Sequence, residues 1–517
     1  MVVEIIHHST KVEEREKQIA ALTGVSIGLA TVAAYGYPLD RPVYVESNFA
    51  TPPNVAIAGI VNSDEPAHEA SLMGTALRSG EIGIIPQQVP GVISYWQSIG
   101  LVPEGAEIQE IPLHRDGDNG FHFPHTDVVQ QAARQGYVLK SGYLTSSFPH
   151  ASNREAAKII GLFPVQPFEA DVVGDKGAFH ENAEKFGYPT SIGGVVRTEE
   201  HIKRVYELLR SEDIEKQFAG RPHRIWIKLR NSSGGEGVRT IDDLRKLSFE
   251  EYREEFAKAA NTFYQNTKLA FQNGDPINNT IQEYWPEGSM VPKEGLVVEL
   301  DTDVYGPSDG ESYSNILYIE NDGSVREIAE FVQLVSHDGR FLGSCLKQVI
   351  NTVVSPDSAM GKVGRYFYSQ GVRGPVGTDY KRVTTAKGQM PIFIDPNVRP
   401  SMSHHALIAF ENIIRERITK GQRISHATFA NAVLSIPGGI HHIGDIISAL
   451  GEYAYTGGEL DIQNGCAVPI GVGSYFADGE KIPSNDTRVL IIGESLYQCG
   501  KIIAALKASL KEKEGIV

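Results

Sequence analysis

The chain has 517 residues, of which 41% are hydrophobic and 22% are charged, values typical of soluble globular proteins. At roughly 150 residues per domain, this length indicates about three domains and ample material for a core. The 48 basic and 64 acidic side chains give a net charge of −16, which opposes non-specific binding to nucleic acid. Composition therefore excludes fibrous and disordered classes and predicts a soluble multidomain protein.

Targeting signals and cysteine chemistry are not evident in the sequence. The start is acidic, with Glu4 where a secretory signal needs a basic region, and the weakly polar residues 25–37 are too few to cross a bilayer. Cys345, Cys466 and Cys499 are far apart and lack a CxxC spacing, which argues against a disulfide framework and a thiolate zinc site. We therefore expect a cytoplasmic protein without an export signal or a membrane span.

The first half of the chain divides into two predicted domains. Residues 1–150 alternate short strand-like runs with helical patterns and Gly/Pro turns, as an α/β domain does. A helix pattern over residues 153–161 opens a second unit, residues 151–282. That unit contains a strand at residues 224–230, then a glycine-rich loop, then a long amphipathic helix.

The second half is predicted to contain two further units. Residues 283–415 hold strands, including one at residues 295–300 that follows another at residues 280–284. They also hold a hairpin that turns at Lys387-Gly388 and carries carboxylates on both strands. Residues 416–517 return to α/β patterning and end in an amphipathic helix, so we expect a C-terminal extension.

Lysine and glycines come together after the strand at residues 224–230. Gly234, Gly235 and Gly237 would let backbone N–H groups approach a phosphate without a Cβ in the way, and Lys228 offers a positive charge to the same anion. The motif is a candidate phosphate cradle. The structural alternative is an ordinary glycine-rich hairpin turn, which is common.

A second cluster of chemically suited residues lies on the hairpin. Asp395, Asn397 and Arg399 alternate along a strand and so point to one face, and Asp379 precedes them on the partner strand. Magnesium prefers hard oxygen ligands that it shares with phosphates, and arginine binds a phosphoryl group bidentately. The face therefore predicts a nucleotide–metal site, with an exposed polar strand as the structural alternative.

In chain order, these motifs resemble those of the ATP-grasp ligases. The matching parts are the lysine strand with its glycine loop, a hinge strand Gln282-Glu283-Tyr284, the acid at Asp379, and the strand Asp395-Pro396-Asn397-Val398-Arg399. The resemblance covers roughly residues 150–405. The general layout and the ending at residues 489–495 also resemble the subgroup with a pre-ATP-grasp N-terminal domain, typified by the pheganomycin-type peptide ligases.

The resemblance implies a fold class and a role for each matching residue. The fold would be α/β (α+β), with a pre-ATP-grasp α/β domain, an ATP-grasp fold with a mobile lid, and a C-terminal α/β extension. Lys228 and Arg399 would be catalytic, and Asp379, Asp395 and Asn397 would hold two Mg²⁺ ions, or Mn²⁺ in their place. ATP would contact Arg154, Lys228, Ser232, Ser233, Gly234, Gly235, Gly237, Glu283 and Tyr284.

The implied function is ADP-forming ligation of a carboxylate to an amine through an acyl-phosphate, on amino acids or small peptides. Asp395 stands where the family pattern has glutamate, which shortens the reach by roughly 1.5 Å. A degenerate nucleotide-binding regulatory or scaffold protein therefore remains an alternative. A nicotinamide-dependent oxidoreductase is a third, although a convincing GxGxxG turn is absent from the sequence. The expected partners are ATP and the two small substrates, without nucleic acid or membrane, and a homo-oligomer is left open.

Two histidine pairs are further candidate site residues. His404-His405 follows the metal strand, but neighbouring side chains diverge, so a ligand or base role is the less favoured interpretation. His441-His442 lies between glycines, and we interpret it as the entry to a helix.

Overall fold

The structure is a computed structural model, and not every residue is described. It describes residues 43–46, 73–75, 77, 82–111, 114–116, 120–122, 138–140, 162–163, 175–214, 224–230, 237–242, 244–272, 285–302, 308–320, 322–335, 341–385, 388–398, 402–424, 427–477 and 479–513. Within these ranges no helix is long and apolar enough to span a membrane.

The N-terminal part is built on a five-stranded parallel sheet of order β3-β2-β1-β6-β7, with β4 and β5 forming a separate hairpin. The strands are β1 (Val43–Glu46), β2 (Ile82–Pro86), β3 (Glu107–Ile111), β4 (His114–Asp116), β5 (Gly120–His122), β6 (Val138–Lys140) and β7 (Leu162–Phe163). Helix α1 (Val92–Ser98) follows β2, and its buried Trp96 donates a 2.9 Å hydrogen bond to the carbonyl of Pro469. The N-terminal part therefore packs directly on the C-terminal part.

A four-stranded antiparallel sheet of order β10-β9-β11-β8 forms the middle of the chain. Its strands are β8 (Gly193–Val196), β9 (Ile225–Leu229), β10 (Val238–Ile241) and β11 (Leu296–Leu300). Three helices belong to this part: α2 (Lys176–Phe186), α3 (Glu199–Leu209) and α4 (Phe249–Gln272). The strand and long helix predicted here are confirmed, because the apolar stripe of α4 (Tyr252, Phe256, Phe263) is buried in one cluster with β9 and β11.

An eight-stranded sheet of order β16-β15-β12-β13-β14-β17-β21-β18 dominates the rest, and all of its pairs are antiparallel. The strands are β12 (Ser308–Ile319), β13 (Val325–Val335), β14 (Phe341–Val353), β15 (Gly374–Thr385), β16 (Gly388–Asn397), β17 (Thr428–Ser435), β18 (Cys466–Val472), β19 (Tyr475–Ala477), β20 (Glu480–Ile482) and β21 (Asp486–Gly493); β19 and β20 pair separately. The helices are α5 (Ala359–Ser369), α6 (Met402–Thr419), α7 (Ile443–Leu450) and α8 (Leu496–Lys513). The mixed α/β class predicted from the sequence is confirmed.

The largest hydrophobic cluster joins the N-terminal part to the C-terminal strands and helices. It includes Trp96 of α1, Phe410 of α6 and Leu506 and Leu510 of α8, which confirms the predicted terminal amphipathic helix. The three cysteines are buried as free thiols, and burial raises the pKa of Cys345 to about 11. Reactive thiolate chemistry is therefore disfavoured there.

The predicted domain boundaries remain a prediction. Two of them separate strands that pair in the same sheet. Strand β11, beyond the 282/283 boundary, belongs to the same sheet as β9. The eight-stranded sheet continues on both sides of the 415/416 boundary, since β14 pairs with β17. Strand order across a sheet depends on long-range pairing, which local patterns do not report.

Glu327, a half-buried acid in the large sheet, makes stability depend on pH. Burial and the charge of Glu330 raise the pKa of Glu327 to about 7. The folded protein therefore holds this proton above the usual glutamate range, and stability is expected to fall as pH rises from about 4.5 through 7. Glu327→Gln should make the melting temperature depend less on pH over that range. Glu184→Gln, at an exposed helix position, should leave the pH dependence unchanged. Parallel melting curves for wild type and Glu327→Gln would contradict the assignment.

Candidate functional site

Lys228 is a buried cation on an otherwise apolar strand. Strand β9 pairs with β11, and the Nζ of Lys228 lies 2.7 Å from Oε2 of Glu299 on that strand. Both side chains are almost fully buried. Burial by itself lowers the pKa of Lys228, but the charges of Glu299 and Asp395 outweigh it and the pKa is raised. The lysine is therefore held as a charged ammonium inside the protein.

Asp379 and Asp395 face each other across the predicted hairpin, which is confirmed. Strands β15 and β16 pair with Asp379 opposite Asp395 and Gly377 opposite Asn397. Burial, followed by the charge of Asp395, raises the pKa of Asp379 to about 6, although side-chain hydrogen bonds with Ser314, Gln333 and Asn397 act in the opposite direction. The sheet thus holds two carboxylates together at an energetic cost that a cation would relieve.

The two halves of the site meet at Asp395. Its Oδ1 lies 3.7 Å from Nζ of Lys228, and its Oδ2 lies 3.7 Å from Nζ of Lys176. Lys228 belongs to the four-stranded sheet, whereas Asp395 belongs to the eight-stranded sheet. The tertiary structure therefore brings the predicted phosphate-binding lysine to the predicted metal-binding acid.

Lys176 was missed by the sequence analysis. It is the first residue of α2, after the N-cap Asp175, whose side chain accepts a 2.9 Å hydrogen bond from the Ala178 N–H. Asp175 and the helix-ending Gly187 are readable start and stop signals that could have marked this helix. The sequence analysis instead named Arg154 as a cation that contacts ATP, and Arg154 lies outside the described residues.

Other residues at the site were also missed. Glu299 is an acid within the buried strand β11, and Ser314 and Gln333 contact Asp379 from β12 and β13. An acid in an apolar strand is a signal that could have identified Glu299. Ser314 and Gln333 become neighbours of Asp379 only through strand pairing, because Ser314 lies opposite Asp379 on β15 and Gln333 pairs with the same strand β12.

Several predicted site residues cannot be placed. Those that lie outside the described residues are Arg154, Ser232, Ser233, Gly234, Gly235, Glu283, Tyr284 and Arg399. Gly237 is described, and its carbonyl accepts a 2.8 Å hydrogen bond from the Leu229 N–H at the base of the β9–β10 hairpin.

The histidine pairs have different positions in the fold. His404 and His405 are buried near the start of α6, the helix that follows β16. His442 is the N-cap of α7, and Oδ2 of Asp445 accepts hydrogen bonds from the backbone N–H groups of His441 and His442, at 2.7 and 3.0 Å. The interpretation of His441-His442 as a helix entry is confirmed.

The acids of this site fit a magnesium ion. The Oδ1 atoms of Asp379 and Asp395 are buried and, among the described residues, have no hydrogen-bond partner, although that of Asp395 lies 3.7 Å from Nζ of Lys228. Buried carboxylate oxygens in that state are costly unless a cation meets them. In the described part of the chain no three His, Cys, Asp or Glu side chains group to hold a metal. Two carboxylates and the Asn397 amide instead match the way Mg²⁺ shares its ligands with substrate phosphates.

No protein-family profile and no curated protein sequence matches this chain. Solved structures are similar to it at low identity. The biotin carboxylase domain of Hydrogenobacter thermophilus 2-oxoglutarate carboxylase, in complex with MgADP, ADP and bicarbonate, is 14% identical over 88% of this chain and 86% of that chain, with a TM-score of 0.46. Biotin carboxylase from Campylobacter jejuni, in a beta-gamma-ATP complex, is 13% identical over 91% of each chain, with a TM-score of 0.46.

A third similar structure is N5-carboxyaminoimidazole ribonucleotide synthetase from Thermus thermophilus. It is 13% identical over 90% of this chain and 98% of that chain, with a TM-score of 0.44. Similarities at this level do not assign an activity to the chain. The case for a function therefore depends on the site.

Proposed function

We propose that this protein is an ATP-dependent ligase that joins a carboxylate to an amine and forms ADP through an acyl-phosphate. The observation that carries the proposal is the meeting of the buried, charged Lys228 with Asp395 on another sheet. A phosphate-binding cation and a metal-binding acid are the two components that phosphoryl transfer needs side by side. Lys176, on the other oxygen of Asp395, adds a second cation.

The charges of the site suit a triphosphate with its metal ion. In the described residues, Lys228 and Lys176 supply two ammonium groups beside the carboxylates of Asp379, Asp395 and Glu299. Lys228 pairs with Glu299 at 2.7 Å, and Asp395 lies 3.7 Å from both lysines, so a metal ion held by Asp379 and Asp395 would take the place of the lysines beside Asp395. The lysines are then available to the phosphate oxygens, to which ammonium groups donate hydrogen bonds.

The side chains of this chain bind and orient the reactants. Lys228 and Lys176 hold the phosphates and absorb negative charge as the γ-phosphoryl group passes to a substrate carboxylate. Arg399, by the same proposal, steadies that group. Asp379, Asp395 and Asn397 would hold Mg²⁺, which supplies electrostatic stabilisation of the phosphoryl oxygens when bound. An amine then displaces phosphate from the acyl-phosphate and an amide bond forms.

The acyl-phosphate is the feature that separates this proposal from other ATP-dependent chemistry. Incubation with ATP, Mg²⁺, the acid substrate and hydroxylamine should give a hydroxamate and ADP without the natural amine, because hydroxylamine attacks acyl-phosphates. A screen of amino acids and small peptides, singly and in pairs, identifies the acid by the phosphate it releases, and mass spectrometry identifies the product.

Other products would point to other functions. AMP and pyrophosphate would indicate adenylate chemistry, and a phosphorylated hydroxyl would indicate a kinase. Specific ATP binding without turnover for any pair would favour the regulatory or scaffold alternative. The number of metal ions, the use of Mn²⁺, the amino-acid nature of the substrates, the subgroup, the oligomeric state and the cytoplasmic location remain predictions.

A further inference from the structure

An ion pair beside the site connects three separate segments. Arg230, the residue after β9, meets Asp175 through two bonds of 2.8 Å, from Nε to Oδ1 and from Nη2 to Oδ2. The Nη1 of Arg230 also donates a 2.6 Å hydrogen bond to the carbonyl of Glu294, just before β11. The side chains of Arg230 and Asp175 are 12% and 8% exposed, so water screens this pair weakly.

The same contacts set the position of Lys176. The backbone N–H of Lys176 donates to the carbonyl of Arg230 at 3.1 Å, and Asp175 caps the helix that Lys176 begins. Lys228 lies two residues before Arg230 on the chain. The start of α2 is thereby attached to the end of β9, and one lysine is located relative to the other.

This attachment offsets the repulsion between the two lysine ammonium groups. The ammonium groups of Lys176 and Lys228 both lie 3.7 Å from oxygens of one carboxylate, so they are close together and repel each other. Asp395 offsets part of this repulsion, but its Oδ1 also belongs to the proposed metal site. Something else must keep the lysines together when Asp395 binds a cation.

We infer that the Arg230–Asp175 ion pair is a positioning device that holds Lys176 and Lys228 at the spacing needed to bind the phosphates of a nucleoside triphosphate. The inference rests on the proposed function. A bidentate pair suits this task, because two parallel bonds fix the orientation of the guanidinium as well as its distance.

Gly177 gives independent support. A Cβ at this position of α2 would lie 2.5 Å from Nε of Arg230 and 3.0 Å from Oδ1 of Asp175. Glycine in a helix is unfavourable compared with alanine, so its presence here is explained by the room that the ion pair needs. Gly177→Ala should displace the guanidinium without removing either charge.

The test compares binding of Mg-ATP and of adenosine by isothermal titration calorimetry. Arg230→Gln, Arg230→Lys and Gly177→Ala should each weaken Mg-ATP binding by roughly tenfold or more, since small misplacements of binding groups are costly. Adenosine affinity should stay unchanged, because adenosine has no phosphate. The double variant Asp175→Asn with Arg230→Gln should lose no more Mg-ATP affinity than Arg230→Gln alone, because the two substitutions break the same ion pair.

Two control variants make the same types of substitution at positions away from the Arg230–Asp175 ion pair. Gly500→Ala is a helix position at which a Cβ meets nothing within 4 Å. Arg224→Gln breaks a 2.6 Å pair with Asp242 at the other end of the β9–β10 pair. Both controls should bind Mg-ATP like wild type, and melting curves establish that every variant is folded.

The outcomes separate this inference from the function on which it rests. A wild type that does not bind Mg-ATP overturns the proposed function and the positioning role with it. A wild type that binds, with variants that bind equally well, overturns the positioning role alone. Equal losses for Mg-ATP and adenosine would mean a general loosening of the sheet, which also overturns it.

Discussion

Lys228→Met is expected to abolish most ligase activity and to destabilise the protein. Removing the ammonium takes a charge contact from the transferring phosphoryl group, which costs roughly 10²–10³-fold in turnover. In the wild type, Oε2 of Glu299 lies 2.7 Å from Nζ of Lys228, so the substitution also leaves the buried Glu299 without its counter-charge. Breaking a buried pair in this way costs about 3–5 kcal/mol in the free energy of unfolding. Chemical denaturation and ADP release measure the two effects.

Adding Glu299→Gln separates the loss of activity from the loss of stability. Lys228→Met with Glu299→Gln removes the buried uncompensated charge, so most of the stability should return while activity stays low. Lys203→Met, at an exposed position on α3, should change neither quantity. If the double variant recovered activity together with stability, Lys228 would be a structural residue and the phosphate assignment would be wrong.

Asp395→Asn is expected to have the other large effect. It removes the carboxylate that both lysines approach and that shares the proposed metal site with Asp379. A bound metal ion contributes several kcal/mol of charge stabilisation in the transition state, and about 1.4 kcal/mol corresponds to a factor of ten in rate. Turnover should therefore fall by roughly 10²-fold or more. The Mg²⁺ concentration that gives half-maximal ADP release should rise. Initial rates over a magnesium titration measure both quantities.

The control for Asp395 is an acid of the same type outside the site. Asp357→Asn, at an exposed position before α5, should leave the magnesium titration unchanged. Unchanged turnover of Asp395→Asn at low magnesium would remove this residue from the metal site. The site would then be a charged structural contact between two sheets.

Local elements could be predicted from the sequence because short-range patterns determine them. Strand β9, the amphipathic α4 and the β15–β16 hairpin all lie where hydrophobic periodicity and the Gly388 turn placed them. The candidate residues Lys228, Asp379, Asp395 and Asn397 were identifiable for a related reason. Lys228 lies on the strand directly before the glycine-rich loop, and Asp395 and Asn397 alternate on one face of a hairpin strand whose partner carries Asp379, so spacing along the chain identified them.

The sequence by itself therefore determined the α/β class, the elements near the site and four of its chemical groups. Only the tertiary structure decided that Lys228 meets Asp395, that Glu299 neutralises Lys228, and that Lys176 reaches Asp395 from the start of α2. Periodicity reports which face of a strand is apolar, but not which distant strand lies beside it or which helix packs above. Those choices follow from burying the apolar faces of the whole chain at once, and they brought together groups that local patterns treat separately.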